Sequence, residues 1–269
     1  MESSNAVAER IKFKNPPINE LVIALYHLPI MELKAQHIGV YWDRIRGRYS
    51  ECAQQQLLIT NPSDPQPFLE APGEVFPLPR FWFSNPTHPR LLQIQRNAFI
   101  LNWRRRITNE YPHYETVIKN FWIEFDDYKN FVQELEGKGL DVVQRCELTY
   151  VNMIPADDSG TSLEQLMNIL PSIAGLKDIQ TDNRRMVGLN AAVTYRVDQT
   201  LLINMTAKTG RRGNSQELIA VIELKAHGVP DDLSLEGTRS WYDSAHEAIY
   251  NMFLDATNKE VQKLRWKPR

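Results

Sequence analysis

From Leu21 to Tyr26 the chain is apolar at every position, with Leu21, Ile23 and Leu25 on one parity and Val22, Ala24 and Tyr26 on the other. A strand apolar on both faces belongs in the middle of a sheet. Pro16 and Pro17 favour extended backbone and close a polar lead over residues 1–15. Beyond the strand, Leu33, Ile38, Tyr41, Trp42 and Ile45 recur at helical spacing among Lys34, Asp43, Arg44 and Arg46, and Gly47 supplies a stop. A short strand is expected around residues 56–59. Six prolines over residues 61–79 then mark a surface connection.

Sheet patterning returns at Phe81. Leu92 and Ile94 alternate with Gln93 and Gln95, and Phe99, Leu101 and Trp103 take the opposite phase after Arg96-Asn97, which predicts a tight hairpin. Val117, Ile118, Phe121, Trp122, Phe125, Tyr128, Val132 and Leu135 share one helical face. Glu115, Lys119, Glu124, Asp126, Asp127 and Glu134 take the opposite face, and Gly137 and Gly139 close the helix. The second half repeats the order, with a strand over 142–154 and a short helix over 163–169. Three antiparallel strands follow at 186–197, 200–208 and 217–227. A long helix buries Trp241, Ala245, Ala248, Ile249, Met252 and Phe253, and Thr257 with Glu260 fits a reciprocal N-cap for one more short helix.

Both halves thus read strand, helix, strands, helix. The expected fold class is α+β: two related units, 16–139 and 140–269 behind the flexible lead 1–15, each an antiparallel sheet covered on one face by its long helix. The two sheets joined edge to edge would form one continuous sheet and one domain, hiding two association-prone edges.

Composition narrows the function. Lys and Arg number 31 against 33 Asp and Glu, a formal charge of −2. That balance excludes a uniformly basic coat for nucleic acid and leaves room for a local basic groove. Two distant cysteines, Cys52 and Cys146, stand in no metal or redox spacing and fit a reducing compartment. No apolar run approaches the ~18–20 residues that span a bilayer, and the first residues lack a signal-peptide pattern. A cytoplasmic protein without membrane contact is expected.

Several segments occur together in one order: Pro17-Ile18-Asn19-Glu20 before the first strand, the hairpin from Leu92-Gln93-Ile94-Gln95 to Leu101-Asn102-Trp103, and Tyr111-Pro112 before the long helix. Leu148-Thr149-Tyr150-Val151-Asn152 and the closing helix from His246 to Phe253 complete the series. In this the chain resembles, over nearly its whole length, a sporadically distributed family of prokaryotic proteins of similar length. The resemblance implies a bacterial or archaeal source and an accessory role, tied to mobile elements or antiviral defence. It implies no reaction and no catalytic residue.

The sharpest local pattern is Glu223-x-Lys225. Two residues apart on a strand, the pair shares one face, as in metal-dependent nucleases of the restriction-enzyme fold, where Mg²⁺ and a positioned water cleave the backbone. That chemistry also needs an Asp on the neighbouring strand, and none stands between Thr200 and Ile222; Asn204 is a poorer ligand and Asp198 falls in a turn. The plainer reading is an exposed Glu/Lys face opposite apolar Ile222 and Leu224.

A second pattern is cationic: Trp103-Arg104-Arg105-Arg106, Arg184-Arg185, and Lys208 with Arg211 and Arg212. Arginine forks bind phosphates bidentately and Trp103 offers a ring for stacking, so convergence of two clusters would make an anion or nucleic-acid surface. Each cluster lies at a strand end or turn, where solubility alone is the plainer explanation of a cationic residue. The six histidines are dispersed, and phosphate-loop, dinucleotide and nucleophile-elbow motifs are missing. His246, mid-helix, and Tyr150 are the polar candidates for a cavity between sheet and helix.

No complete catalytic constellation can be written from these residues. The first reading is therefore a non-enzymatic binding or assembly protein with no cofactor, working through a protein partner or nucleic acid, homo-oligomers included. The alternatives are a Mg²⁺-dependent nuclease built on Glu223 and Lys225, and a small-ligand pocket at Tyr150 and His246.

Overall fold

Ile18–His27 forms strand β1, followed by helix α1 (Ala35–Ile45), strands β2 (Glu51–Gln55), β3 (Arg80–Ser84), β4 (Arg90–Gln95) and β5 (Ala98–Arg104), and helix α2 (Tyr114–Glu136). The second half runs β6 (Val143–Pro155), α3 (Ser162–Ile169), a 3₁₀ segment (Pro171–Ile179), β7 (Asn190–Arg196), β8 (Leu202–Arg212), β9 (Glu217–Gly228) and α4 (Leu235–Ala256). A short α5 (Lys259–Val261) then merges into a π turn (Gln262–Trp266). The computed structural model describes residues 11–58, 77–106, 110–137, 139–140, 143–155, 162–179, 183, 186–212 and 217–269. The proline-rich connection lies largely outside them, as do Arg184 and Arg185 and the side chain of Arg212.

The architecture is mixed α+β around a nine-stranded antiparallel sheet, in the order β2-β3-β4-β5-β1-β6-β9-β8-β7. The two-faced apolar strand β1 takes the fifth place, as its pattern demands. One sheet face carries Leu21, Ile23, Leu25, Phe99, Leu101, Cys146, Leu148, Tyr150 and Leu224, and α2 and α4 pack on it through Phe121, Phe125, Tyr128, Trp241, Tyr242, Ala245 and Ile249. Burying each large side chain from water contributes about 1.5–3 kcal/mol, so this layer is the main cohesive term. Tyr242 also donates from its hydroxyl to the Ala24 carbonyl at 2.6 Å, tying α4 to the sheet.

The opposite face is partly polar. Ala24, Tyr26, Ala98 and Ile100 form a small buried cluster with Val22 and Leu58 against it. Beside them a hydrogen-bonded row crosses four strands: Trp82 Nε1 donates to Gln93, Gln93 donates to Asn102, and Asn102 donates to Glu20, at 2.8, 2.6 and 2.7 Å. This is why Gln93 and Asn102 sit buried in a hairpin whose alternation marks them as the outer face.

Local signals explain most element ends. The β4–β5 hairpin turns on Arg96-Asn97, with Gln95 opposite Ala98. Gly137 ends α2 at φ 71°, a left-handed conformation that glycine adopts without strain, and its N–H bonds the Gln133 carbonyl. Three expectations are corrected. The strand placed at 56–59 lies at Glu51–Gln55, where its polar sequence suits an exposed edge. The strand expected from residue 186 begins at Asn190. The last cap is Asn258, which accepts from Glu260 N–H, because the Thr257 hydroxyl is already donated back to Phe253. Among the described residues no helix is long and apolar enough to cross a membrane.

Candidate ligand pocket

Strand parity builds the floor of a cavity. Tyr150 on β6 faces the helices because it stands opposite Leu21 on β1 and Leu224 on β9, and Asn152, two residues on, shares that face. His246 on α4 follows buried Ala245 and meets the Tyr150 hydroxyl through Nδ1 at 3.0 Å. Tyr111, directly before Pro112, brings its hydroxyl to 3.3 Å from that of Tyr150. Tyr114 opens α2 and lies on the His246 ring, and its hydroxyl donates to Asp243 at 3.0 Å. His113 before it has φ 67°, a strained conformation for a residue other than glycine, and this turn aims Tyr111 and Tyr114 into the same space.

A strap closes the other side. Residues 12–15 pair with the chain end: Lys14 and Asn15 N–H bond the Lys267 and Trp266 carbonyls, Arg269 N–H bonds that of Lys12, and Phe13 bridges to Pro268. Phe13 packs edge-on against Trp266 with ring centroids 5.7 Å apart, and Ile11 N–H donates to the Tyr250 hydroxyl at 2.8 Å. The half-open cavity between strap, sheet and helices measures about 120 Å³, with Lys12 and Glu115 exposed at its rim. Burial pushes the Tyr111, Tyr114 and Tyr150 hydroxyls well above their ordinary titration range, with nearby Asp243 adding to the effect at Tyr114, so all three stay protonated at neutral pH.

The pair Tyr150 and His246, singled out from sequence, is therefore in direct hydrogen-bond contact. Tyr111, Tyr114, Tyr250 and Asn152 were missed. The parity of Asn152 with Tyr150 was a signal for one of them; the reach of Tyr111 and Tyr114 depends on the His113 turn, which no residue type announces.

The cationic clusters are placed otherwise. Trp103 is 3% exposed, edge-on to Tyr111 in the core, which leaves no ring face for a base to stack on. Arg104 stands opposite Glu20, and burial together with Arg106 lowers its pKa while Glu20 raises it. Arg105 turns back to donate to the Ile18 and Pro16 carbonyls at 2.8 and 3.0 Å. Lys208 and Arg211 lie on β8, four strand spacings or about 20 Å from β5. Across that gap runs the row Arg104, Glu20, Val151, Glu223, Thr206, so carboxylates interrupt the positive charge.

Glu223 and Lys225 share the sheet face away from α2 and α4. Lys225 Nζ pairs with Glu147 at 3.4 Å, and Glu147 also accepts from Thr149. Among the described residues no group of three His, Cys, Asp or Glu side chains gathers as a metal would require. No protein-family model, curated protein or solved structure matches the chain.

Proposed function

We propose that the protein is a non-enzymatic binding protein whose working site is the cavity under the strap. The carrying observation is the hydrogen-bonded series Tyr111, Tyr150 and His246 lining a strapped apolar space between β6, α2 and α4. Apolar concavities with a few convergent polar groups are the usual form of small-molecule sites. The tyrosine hydroxyls and the His246 ring are held by one another, by Asp243 and by the Ile11 backbone, an arrangement suited to recognising a ligand in place.

The reading carries a finer view of the fold: residues 16–139 and 140–269 are two related units. Its support is the element order of each half and the antiparallel pairing of β1 with β6, flanked by β5 and β9, the last strand of each half. On this view the pocket is an inter-unit site, since Tyr111 and Tyr114 come from one half and Tyr150, Asn152 and His246 from the other.

The test is ligand-observed NMR with a fragment library on the wild type and on Ile249→Trp, whose added bulk occupies the cavity. Fragments that bind the wild type and are lost in the variant support the site. A wild type that binds no fragment, or a variant that keeps them all, defeats it.

A further inference from the structure

We infer that the cavity receives a compact organic ammonium head group, an inference that rests on the pocket reading above and names its ligand. Four tyrosines, His246, Phe253 and Phe13 supply the walls, and aromatic faces carry the negative pole of the ring quadrupole. The hydroxyls of Tyr111 and Tyr150 lie 3.3 Å apart, and that of Tyr150 is 3.0 Å from His246 Nδ1, so these polar atoms are held to one another beside the rings.

The decisive polar group is Asn152. It is 2% exposed, its Nδ2 donates to the Ile222 carbonyl at 3.2 Å, and no described residue donates to its Oδ1. A carbonyl oxygen left over in an otherwise satisfied apolar pocket favours a ligand with positive charge or a donor. An anion would meet a largely aromatic lining and the Asn152 carbonyl oxygen, which repels it. Lys12 and Glu115 at the rim are both exposed and opposite in charge, so solvent screening and mutual offset leave the interior to decide.

Size points the same way. About 120 Å³ is well below the ~300–1,000 Å³ of sites for whole cofactors or drug-sized molecules, so only a head group enters. A methylated or cyclic ammonium is compact, weakly hydrated and matched to several ring faces at once.

The probes are choline and its uncharged carbon isostere 3,3-dimethylbutan-1-ol, titrated calorimetrically against the full chain. Choline is expected to bind at least ten-fold more tightly. Tyr111→Phe, which keeps the ring face, retains choline binding within about three-fold, whereas Tyr111→Leu loses ten-fold or more. Asn152→Asp strengthens choline binding and Asn152→Leu weakens it, with circular dichroism confirming that each variant is folded. Equal binding of the two probes, or indifference to Asn152→Asp, overturns the ammonium assignment. If fragments lost in Ile249→Trp bind while choline does not, the ammonium assignment falls and the pocket stands. If nothing binds in either experiment, both fall.

Discussion

The ring of Tyr114 lies flat on that of His246, centroids 4.0 Å apart and planes 12° from parallel. One residue at the start of α2 thus grips α4 twice, by this stack and by its hydroxyl on Asp243. The two grips separate by mutation. Tyr114→Phe keeps the stack and costs about 1.5–3 kcal/mol of unfolding free energy, the range for a hydrogen bond to a carboxylate. Tyr114→Ala removes a buried ring and costs about 3–5 kcal/mol. Urea unfolding of the two variants checks the ratio; equal losses would mean that the stack contributes nothing.

His27 makes stability depend on pH. Its imidazole is buried, with Nδ1 on the Leu28 carbonyl at 2.8 Å, and burial lowers its pKa from 6.5 to about 4 against the smaller opposing effect of that carbonyl. The unfolded chain takes up a proton below pH 6.5 that the folded one refuses until about pH 4. Its neutral form is therefore fully compatible with folding above 6.5, and stability falls as pH drops through that window, by about 3 kcal/mol at 1.36 kcal/mol per unit. The gap between wild type and His27→Phe should narrow between pH 7 and pH 4.5. Parallel stability curves would contradict the assignment.

Tyr41 and Tyr128 hold buried hydroxyls with no partner among the described residues, their rings 5.7 Å apart near His27. An orphaned buried hydroxyl costs about 1–3 kcal/mol. Tyr128→Phe is expected to leave the protein as stable as wild type or to raise its melting temperature. A clear fall would reveal a bonding partner for that hydroxyl.

Glu124 lies buried on α2 and accepts from the Tyr49 hydroxyl, Arg48 and Arg90 at 3.1, 3.1 and 3.4 Å. Removing one side of a buried ion pair strands the rest, so Glu124→Gln should cost about 3–5 kcal/mol in chemical denaturation. Arg44→Met, which breaks an exposed pair with Glu134, should shift the same denaturation midpoint far less than Glu124→Gln does.

The strap is the least anchored part of the pocket. Phe13→Ala should speed hydrogen exchange at Lys14, Asn15 and Arg269, whose amides bridge the two chain segments, while β1 amides stay protected. Acceleration spread into β1 would show the strap and sheet opening together.

Much of the sheet and both long helices follow from periodicity alone. The single face of Val117 to Leu135 predicts α2, and two-parity apolarity predicts the central place of β1. Alternation had also already put Trp103 in phase with Phe99 and Leu101, and so inside, against its reading as a stacking platform. What periodicity cannot carry is burial without apolarity. Arg96 reads as a turn residue, yet its side chain is wholly buried and donates to the Leu33 carbonyl. Tyr150 and His246 were legible as polar groups on apolar faces. Their neighbours from α2 were not, because long-range packing and one backbone turn bring them in.

The pairing of β1 with β6 has a kinetic consequence. Leu21 must find Tyr150 half a chain away, whereas β4 with β5 and β8 with β9 are separated in sequence by only two and four residues. The outer hairpins therefore assemble early and the middle of the sheet late, after the largest loop-closure entropy has been met. Refolding is set by that non-local step and belongs in the millisecond-to-second range or slower, with the central strand edges exposed to aggregation until it completes.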